Sequence, residues 1–173
     1  MKELTLKSEV RIYSYEELSE ADRQLIDDAK EATKRSYVPY SHFHVGAAAR
    51  LMDGTVVTGN NQENAAYPSG LCAERTTLFY ANAQYPDQPV ETLAIAARTE
   101  KDFIDSPIPP CGACRQVMLE TEQRFNRPMR IMLYGKKEIY VMEGVGTLLP
   151  LSFGAEALSL IHISEPTRPI SIS

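Results

Sequence analysis

Apolar and polar positions alternate along this chain in two clear periods. Over residues 20–36, Leu25, Ile26, Ala29, Ala32 and Thr33 recur at helical spacing, and Ser19 with Asp22 forms a capping-box pattern with Asp in place of the usual Glu. Tyr37-Val38-Pro39 ends that helix, because Pro39 disfavours helical geometry at Val38. Two strands are predicted over 42–52 and 55–61, joined by Asp53-Gly54, a strong hairpin signal between apolar runs. Residues 59–71 have no sustained period and read as a polar loop leading into a helix over 72–84. Thr92-Leu93-Ala94-Ile95-Ala96-Ala97 is an unbroken apolar strand of the kind buried on both faces. A polar connector over 99–109 precedes a helix over 112–125, and strands over 129–134 and 138–142 flank Gly135-Lys136-Lys137. Leu4, Leu6 and Val10 among polar neighbours suggest a short extended arm.

This order of elements predicts an α/β protein, a three-layer α/β/α sandwich around a mixed five-stranded sheet. One domain accounts for residues 1–157, with an arm over 1–18 and a core over about 19–153; no repeat of solenoid period is present. At 173 residues and a formal charge of −5, with Lys and Arg scattered, nothing favours nucleic acid as a partner over a small neutral substrate. No apolar run approaches the roughly 18 residues of a membrane span and no charged-then-apolar leader opens the chain, so the expected location is cytoplasmic. Three cysteines are an odd count, which argues against a disulfide framework and for a reducing compartment.

Those cysteines decide the chemistry. Cys72 stands two residues before Glu74, and Pro110-Cys111-Gly112-Ala113-Cys114 supplies the other two. Both motifs lie where a loop or strand feeds a helix, where free N–H groups and the positive dipole end stabilise thiolates. Three thiolates leave one tetrahedral position of zinc open, as in catalytic sites, and Glu74 stands where a proton shuttle would be needed. A carboxylate that is not a ligand, followed by Pro-Cys-x-x-Cys, is the signature described for zinc deaminases, including a three-cysteine variant. One Zn²⁺ per chain is therefore expected on Cys72, Cys111 and Cys114. Zinc with three thiolates carries a charge of −1, so nearby donors must draw charge off sulfur; Arg75 and Gln116 are the candidates. Plainer readings are free or redox cysteines, a solvated Arg75 and a first-turn carboxylate at Glu74. His42 and His44 flank Phe43 and are not needed as ligands.

With these motifs in order, the chain resembles the small homotetrameric cytidine deaminases with a three-cysteine zinc site, within the cytidine/deoxycytidylate deaminase family. The likeness spans about residues 25–153. It is carried by Tyr37-Val38-Pro39-Tyr40-Ser41, Phe43-His44-Val45-Gly46-Ala47-Ala48, Asn61-Gln62-Glu63-Asn64-Ala65-Ala66-Tyr67, Cys72-Ala73-Glu74-Arg75 and Pro110-Cys111-Gly112-Ala113-Cys114-Arg115-Gln116. The resemblance implies a cytidine deaminase-like fold and hydrolysis of cytidine and 2′-deoxycytidine to uridine and 2′-deoxyuridine, with release of ammonia, in pyrimidine salvage. It implies that activated water attacks C4 while Glu74 moves protons. It places the substrate against Phe43, Asn61, Glu63, Tyr67 and Ala73, with Asn61 and Glu63 on the ribose hydroxyls. Phe153 would be contributed by a neighbouring subunit of a homotetramer with shared active sites; the plain alternative for either Phe is a core residue.

Two rivals remain at this stage. A deaminase of a modified cytosine nucleoside, such as a nucleoside antibiotic, would show the same metal motifs. A structural zinc module would need a fourth protein ligand, and no cysteine is left to supply one. A nucleotide or RNA substrate fits less well, since Glu63 repels added negative charge. Finally, residues 158–169 read as the in-frame translation of a sequencing-library adapter, which would make 158–173 a non-native tail and end the native sequence near Ala157.

Overall fold

A computed structural model describes residues 1–159, so most of the expected tail over 158–173 lies outside the described residues. The elements are β1 (Arg11–Tyr13), α1 (Glu20–Ala32), β2 (His44–Leu51), β3 (Val56–Asn60), α2 (Ala73–Gln84), β4 (Val90–Arg98), α3 (Gly112–Phe125), β5 (Arg130–Tyr134), β6 (Ile139–Glu143) and α4 (Ala155–Ser159). Their order in the sheet is β1-β6-β5-β4-β2-β3. Only β4 and β5 run parallel, because α3 carries the chain back between them; the other neighbours are antiparallel. Among the described residues the sheet thus has six strands where the sequence predicted five. The sixth is part of the arm: Arg11, Ile12 and Tyr13 pair with Val141, Tyr140 and Ile139 and cover the open edge of β6. Among the described residues no helix is long and apolar enough to cross a membrane.

Side chains that alternate along the strands build the two faces. Ala47, Ala49, Leu93, Ile95 and Leu133 point to a cluster containing Leu78 and Ala81 of α2 and Met118 of α3. Ala48, Ala94, Ala96 and Met132 point the other way, onto Leu25, Ile26 and Ala29 of α1. Small residues on that second face let α1 sit close. At Gly46 a Cβ would come within 2.1 Å of the Ala29 carbonyl oxygen, so the contact admits glycine alone. Asp53-Gly54 closes the β2–β3 hairpin as expected, with Gly54 at φ +87°. The predicted Ser19 cap is present, its hydroxyl accepting from Asp22 N at 3.2 Å.

Two charged assemblies fasten α1 to the rest. The buried Asp22 carboxylate accepts from Arg50 of β2 at 3.2 Å and from Arg130 of β5 at 2.5 Å. Burial pushes its carboxyl up, but hydrogen bonds from Arg130, Ser19 and Arg50 outweigh that and hold it below the ordinary range. On the opposite flank, Lys30 Nζ sits 5.7, 5.5 and 5.0 Å from the ring centres of Tyr15, Phe103 and Tyr134. Tyr15 also donates to Asp27 at 2.6 Å, so the segment after β1 is fixed to α1.

Candidate active site

Helix starts place the three sulfurs. Cys72 is the N-cap of α2, Cys111 is the N-cap of α3, and Cys114 lies in the first turn of α3. Cys72 Sγ is 3.8 Å from Cys111 Sγ, which is 3.5 Å from Cys114 Sγ. A tetrahedral zinc with Zn–S bonds of about 2.3 Å requires sulfurs about 3.8 Å apart, so the donor set fits that ion. Among the described residues no His, Asp or Glu joins the cluster, and three protein ligands leave one coordination position for water or substrate. A hydrogen bond from Cys114 pulls the Cys72 thiol down to about 5 despite its burial, with Cys111 and Arg75 adding to the effect. The Cys114 thiol is pushed up, first because its proton is shared with the Cys72 sulfur and then by burial. Before a metal enters, the cluster already favours a thiolate.

Glu74 is buried at 5% exposure, in the first turn of α2 beside Cys72. Burial pushes its carboxyl above the ordinary range, and negative charge on Cys72 adds to that push against bonds from its own amide and from Cys114. A buried carboxyl poised to hold a proton beside a thiolate cluster suits proton transfer. Arg75 interacts with the sulfurs of Cys72 and Cys114 while its Nη2 donates to the Gly70 carbonyl at 3.2 Å. Its Nε is buried without a hydrogen-bond partner among the described residues. Gln116, the other predicted donor to sulfur, instead gives its Nε2 to the Phe153 carbonyl at 2.8 Å.

Next to Cys72 and Arg75 lies a cavity of about 480 Å³, a size that suits a small molecule. Tyr40, Ser41, Asn61, Gln62, Glu63, Asn64, Tyr67, Gly70 and Leu71 complete its lining. Phe43, Ala73, Glu74 and Phe153 are not part of that lining. Phe43 is half-buried just before β2, Ala73 is fully buried, and Phe153 is exposed at 61%. Tyr67 is exposed at 80% on the rim.

The polar loop is tied to the Tyr37–Ser41 motif by side chains. Asn61 Oδ1 accepts from Val45 N at 2.9 Å and its Nδ2 donates to the Phe43 carbonyl at 2.9 Å. Glu63 Oε2 accepts from Tyr40 N at 2.9 Å and Ser41 N at 3.2 Å. Ser41 Oγ in turn accepts from Phe43 N at 3.1 Å. These bonds hold His42 in the left-handed region at φ 54°, rare for a bulky residue. An amide can make four hydrogen bonds and Asn61 spends two on this clamp, leaving one donor and one lone pair; Glu63 keeps Oε1. Sequence reasoning quoted Tyr40 and Ser41 without giving them a role. The available signal was a serine two residues before Phe43, the spacing of a local side-chain turn.

The model of the cytidine and deoxycytidylate deaminase zinc-binding region matches residues 19–126. The chain is 44% identical over 140 residues to a cytidine deaminase of Halalkalibacterium halodurans, covering 80% of this chain and 98% of that one. It is 42% identical over 136 residues to a cytidine deaminase of Sporosarcina psychrophila, covering 79% and 93%. Among solved structures it is similar to cytidine deaminase from Burkholderia pseudomallei, with a TM-score of 0.65, 41% identity, and coverage of 75% of this chain and 97% of that one.

Proposed function

The chain belongs to the cytidine and deoxycytidylate deaminase family, and we propose that it is a zinc-dependent hydrolase converting cytidine and 2′-deoxycytidine to uridine and 2′-deoxyuridine. The observation that carries this reading is a three-sulfur cluster of zinc dimensions with buried Glu74 beside it, opening on a cavity of nucleoside size. Cys72, Cys111 and Cys114 bind the zinc. When bound, zinc supplies Lewis-acid activation of water near neutral pH. Glu74 takes one proton from the attacking water and gives it to N3 of the pyrimidine as the new C–O bond forms at C4. Glu74 then moves the remaining hydroxyl proton to the amino nitrogen; the C4–N bond breaks, ammonia leaves and the C4 carbonyl of uridine remains. Its raised proton affinity serves both transfers. Arg75 draws charge from the sulfurs, whereas Gln116 is engaged with the Phe153 carbonyl.

Asn61 and Glu63 hold the ribose hydroxyls with the hydrogen-bonding capacity the clamp leaves unused. Phe43 and Tyr67 pack along the nucleoside, and the Ala73 main chain contacts the base. Phe153 is assigned to the site of a neighbouring subunit in a homotetramer, which accounts for an aromatic ring left exposed in the single chain. The functional unit is residues 1–157, and the tail takes no part. Incubating zinc-loaded protein with cytidine tests the reading: absorbance of the cytosine ring falls and ammonia accumulates. A protein that holds zinc yet leaves cytidine and 2′-deoxycytidine unchanged would overturn it.

A further inference from the structure

We propose that Arg115 is a positioning residue for zinc retention, bridging two backbone carbonyls so that Cys111 stays in place as a ligand. The inference rests on the three-cysteine zinc site. The ligands are unequal: Cys114 is buried, Cys72 half-buried and Cys111 exposed. Cys111 is also the N-cap of α3, yet its sulfur accepts no helix amide, so the cap gives that residue no side-chain anchor. A long connector from β4 reaches it through Pro110, which is buried. The most labile corner of the site therefore depends on whatever fixes the Pro110–Cys111 turn.

Arg115 does so from the helix itself. Its Nε donates to the Pro110 carbonyl at 2.8 Å and its Nη1 to the Leu148 carbonyl at 2.6 Å. Leu148 belongs to a turn that is anchored in its own right. Leu148 N and Leu149 N both donate to the Val145 carbonyl, at 2.8 and 2.9 Å. Val145 N donates to Glu122 Oε1 at 2.9 Å, and the same oxygen receives Met129 N at 3.0 Å. The turn after β6 is thus secured at the far end of α3, and Arg115 carries that anchorage back to its beginning. A planar guanidinium can serve two divergent carbonyls at once, whereas an ammonium on a flexible stem has no such fork. Groups behind the ligands of a metal site commonly govern affinity by 10- to 100-fold, about the size expected here.

The experiment follows zinc transfer from the loaded full chain to excess 4-(2-pyridylazo)resorcinol. Arg115→Ala is expected to release zinc at least about 10-fold faster than the unmodified protein, with Arg115→Lys in between. Arg124→Ala is the control, since Arg124 on the same helix also bonds a carbonyl, that of Pro86 at 2.9 Å, far along from the sulfurs. It is expected to match the unmodified rate. Release from Arg115→Ala within about twofold of the unmodified rate, or equal acceleration by Arg124→Ala, overturns the proposal. Should Arg115→Ala fail to fold, Arg115→Lys decides, and an unchanged rate there refutes the two-carbonyl bridge. Loss of cytidine turnover in the unmodified protein would sink the proposed function while leaving this measurement intact.

Discussion

Replacing Asn61 with alanine should injure stability and substrate affinity together, because the proposed function has one amide serve both the fold and the sugar. The bonds to the Phe43 carbonyl and Val45 N–H, both 2.9 Å and half-buried, disappear. Each contributes about 1 kcal/mol net, and more when the abandoned group stays shielded from water, giving about 2–3 kcal/mol in all. At about 2–4 °C per kcal/mol for a chain of this size, the melting temperature should fall by about 4–12 °C. Loss of the ribose contact and the loosened placement of Phe43 should raise KM by about 10- to 100-fold, at tenfold per 1.4 kcal/mol. Thermal melts and steady-state deamination of cytidine and 3′-deoxycytidine separate the two roles. In the unmodified protein the analogue should be penalised; in Asn61→Ala that penalty should shrink to the share Glu63 retains. Melting unchanged to within about 1 °C would refute the clamp, and an undiminished penalty would refute the sugar contact of Asn61. Asn61→Asp keeps an acceptor for Val45 N but sets an oxygen against the Phe43 carbonyl, so it should be no milder than alanine.

Glu74→Gln should retain zinc and lower kcat by about 10³-fold or more, since both proton transfers lose their carrier; stoichiometric metal with normal turnover would contradict the assigned role. Chelation should abolish activity and added Zn²⁺ restore it, with Mg²⁺ ineffective at a thiolate site, as a metal-replacement assay would reveal. Asp22→Asn should cost about 3 kcal/mol near pH 7 in urea melts. Because the folded-state carboxyl sits below its unfolded value, its contribution is present above about pH 4 and fades as pH falls through the folded value, so the two stability curves should converge in acid. If Phe153 reaches a neighbouring subunit, mixing the Phe153→Ala and Glu74→Gln proteins should regenerate activity beyond that of either alone; none would appear if every site is built from one chain.

Helices and strands were legible because their apolar periods are local; α3 begins and ends where the spacing placed it, at Gly112 and Phe125. The metal cluster was legible for a chemical reason, since free N–H groups at two helix starts favour thiolates, the form of cysteine that binds metal. What escaped depends on partners distant in sequence. Three residues of strand at Arg11–Tyr13 carry too little pattern to announce themselves and exist because β6 leaves an edge to pair with. Asp22 reads as a helix-cap residue until Arg50 and Arg130 are brought to it by the sheet. Gln116 was assigned to sulfur by its place after Cys114, but the folded C-terminal segment offers it the Phe153 carbonyl instead.

The position of β1 has a practical consequence for handling the protein. It lies at the opposite border of the sheet from β3, and the cavity is framed by the segments that flank β2 and β3. At about 4.8 Å per strand spacing, the full width of the sheet, about 24 Å, separates them. Affinity handles or surface immobilisation are therefore best placed at the amino terminus, ahead of the border strand farthest from the cavity. Cargo joined after Phe153 would instead crowd the helix that carries Cys114.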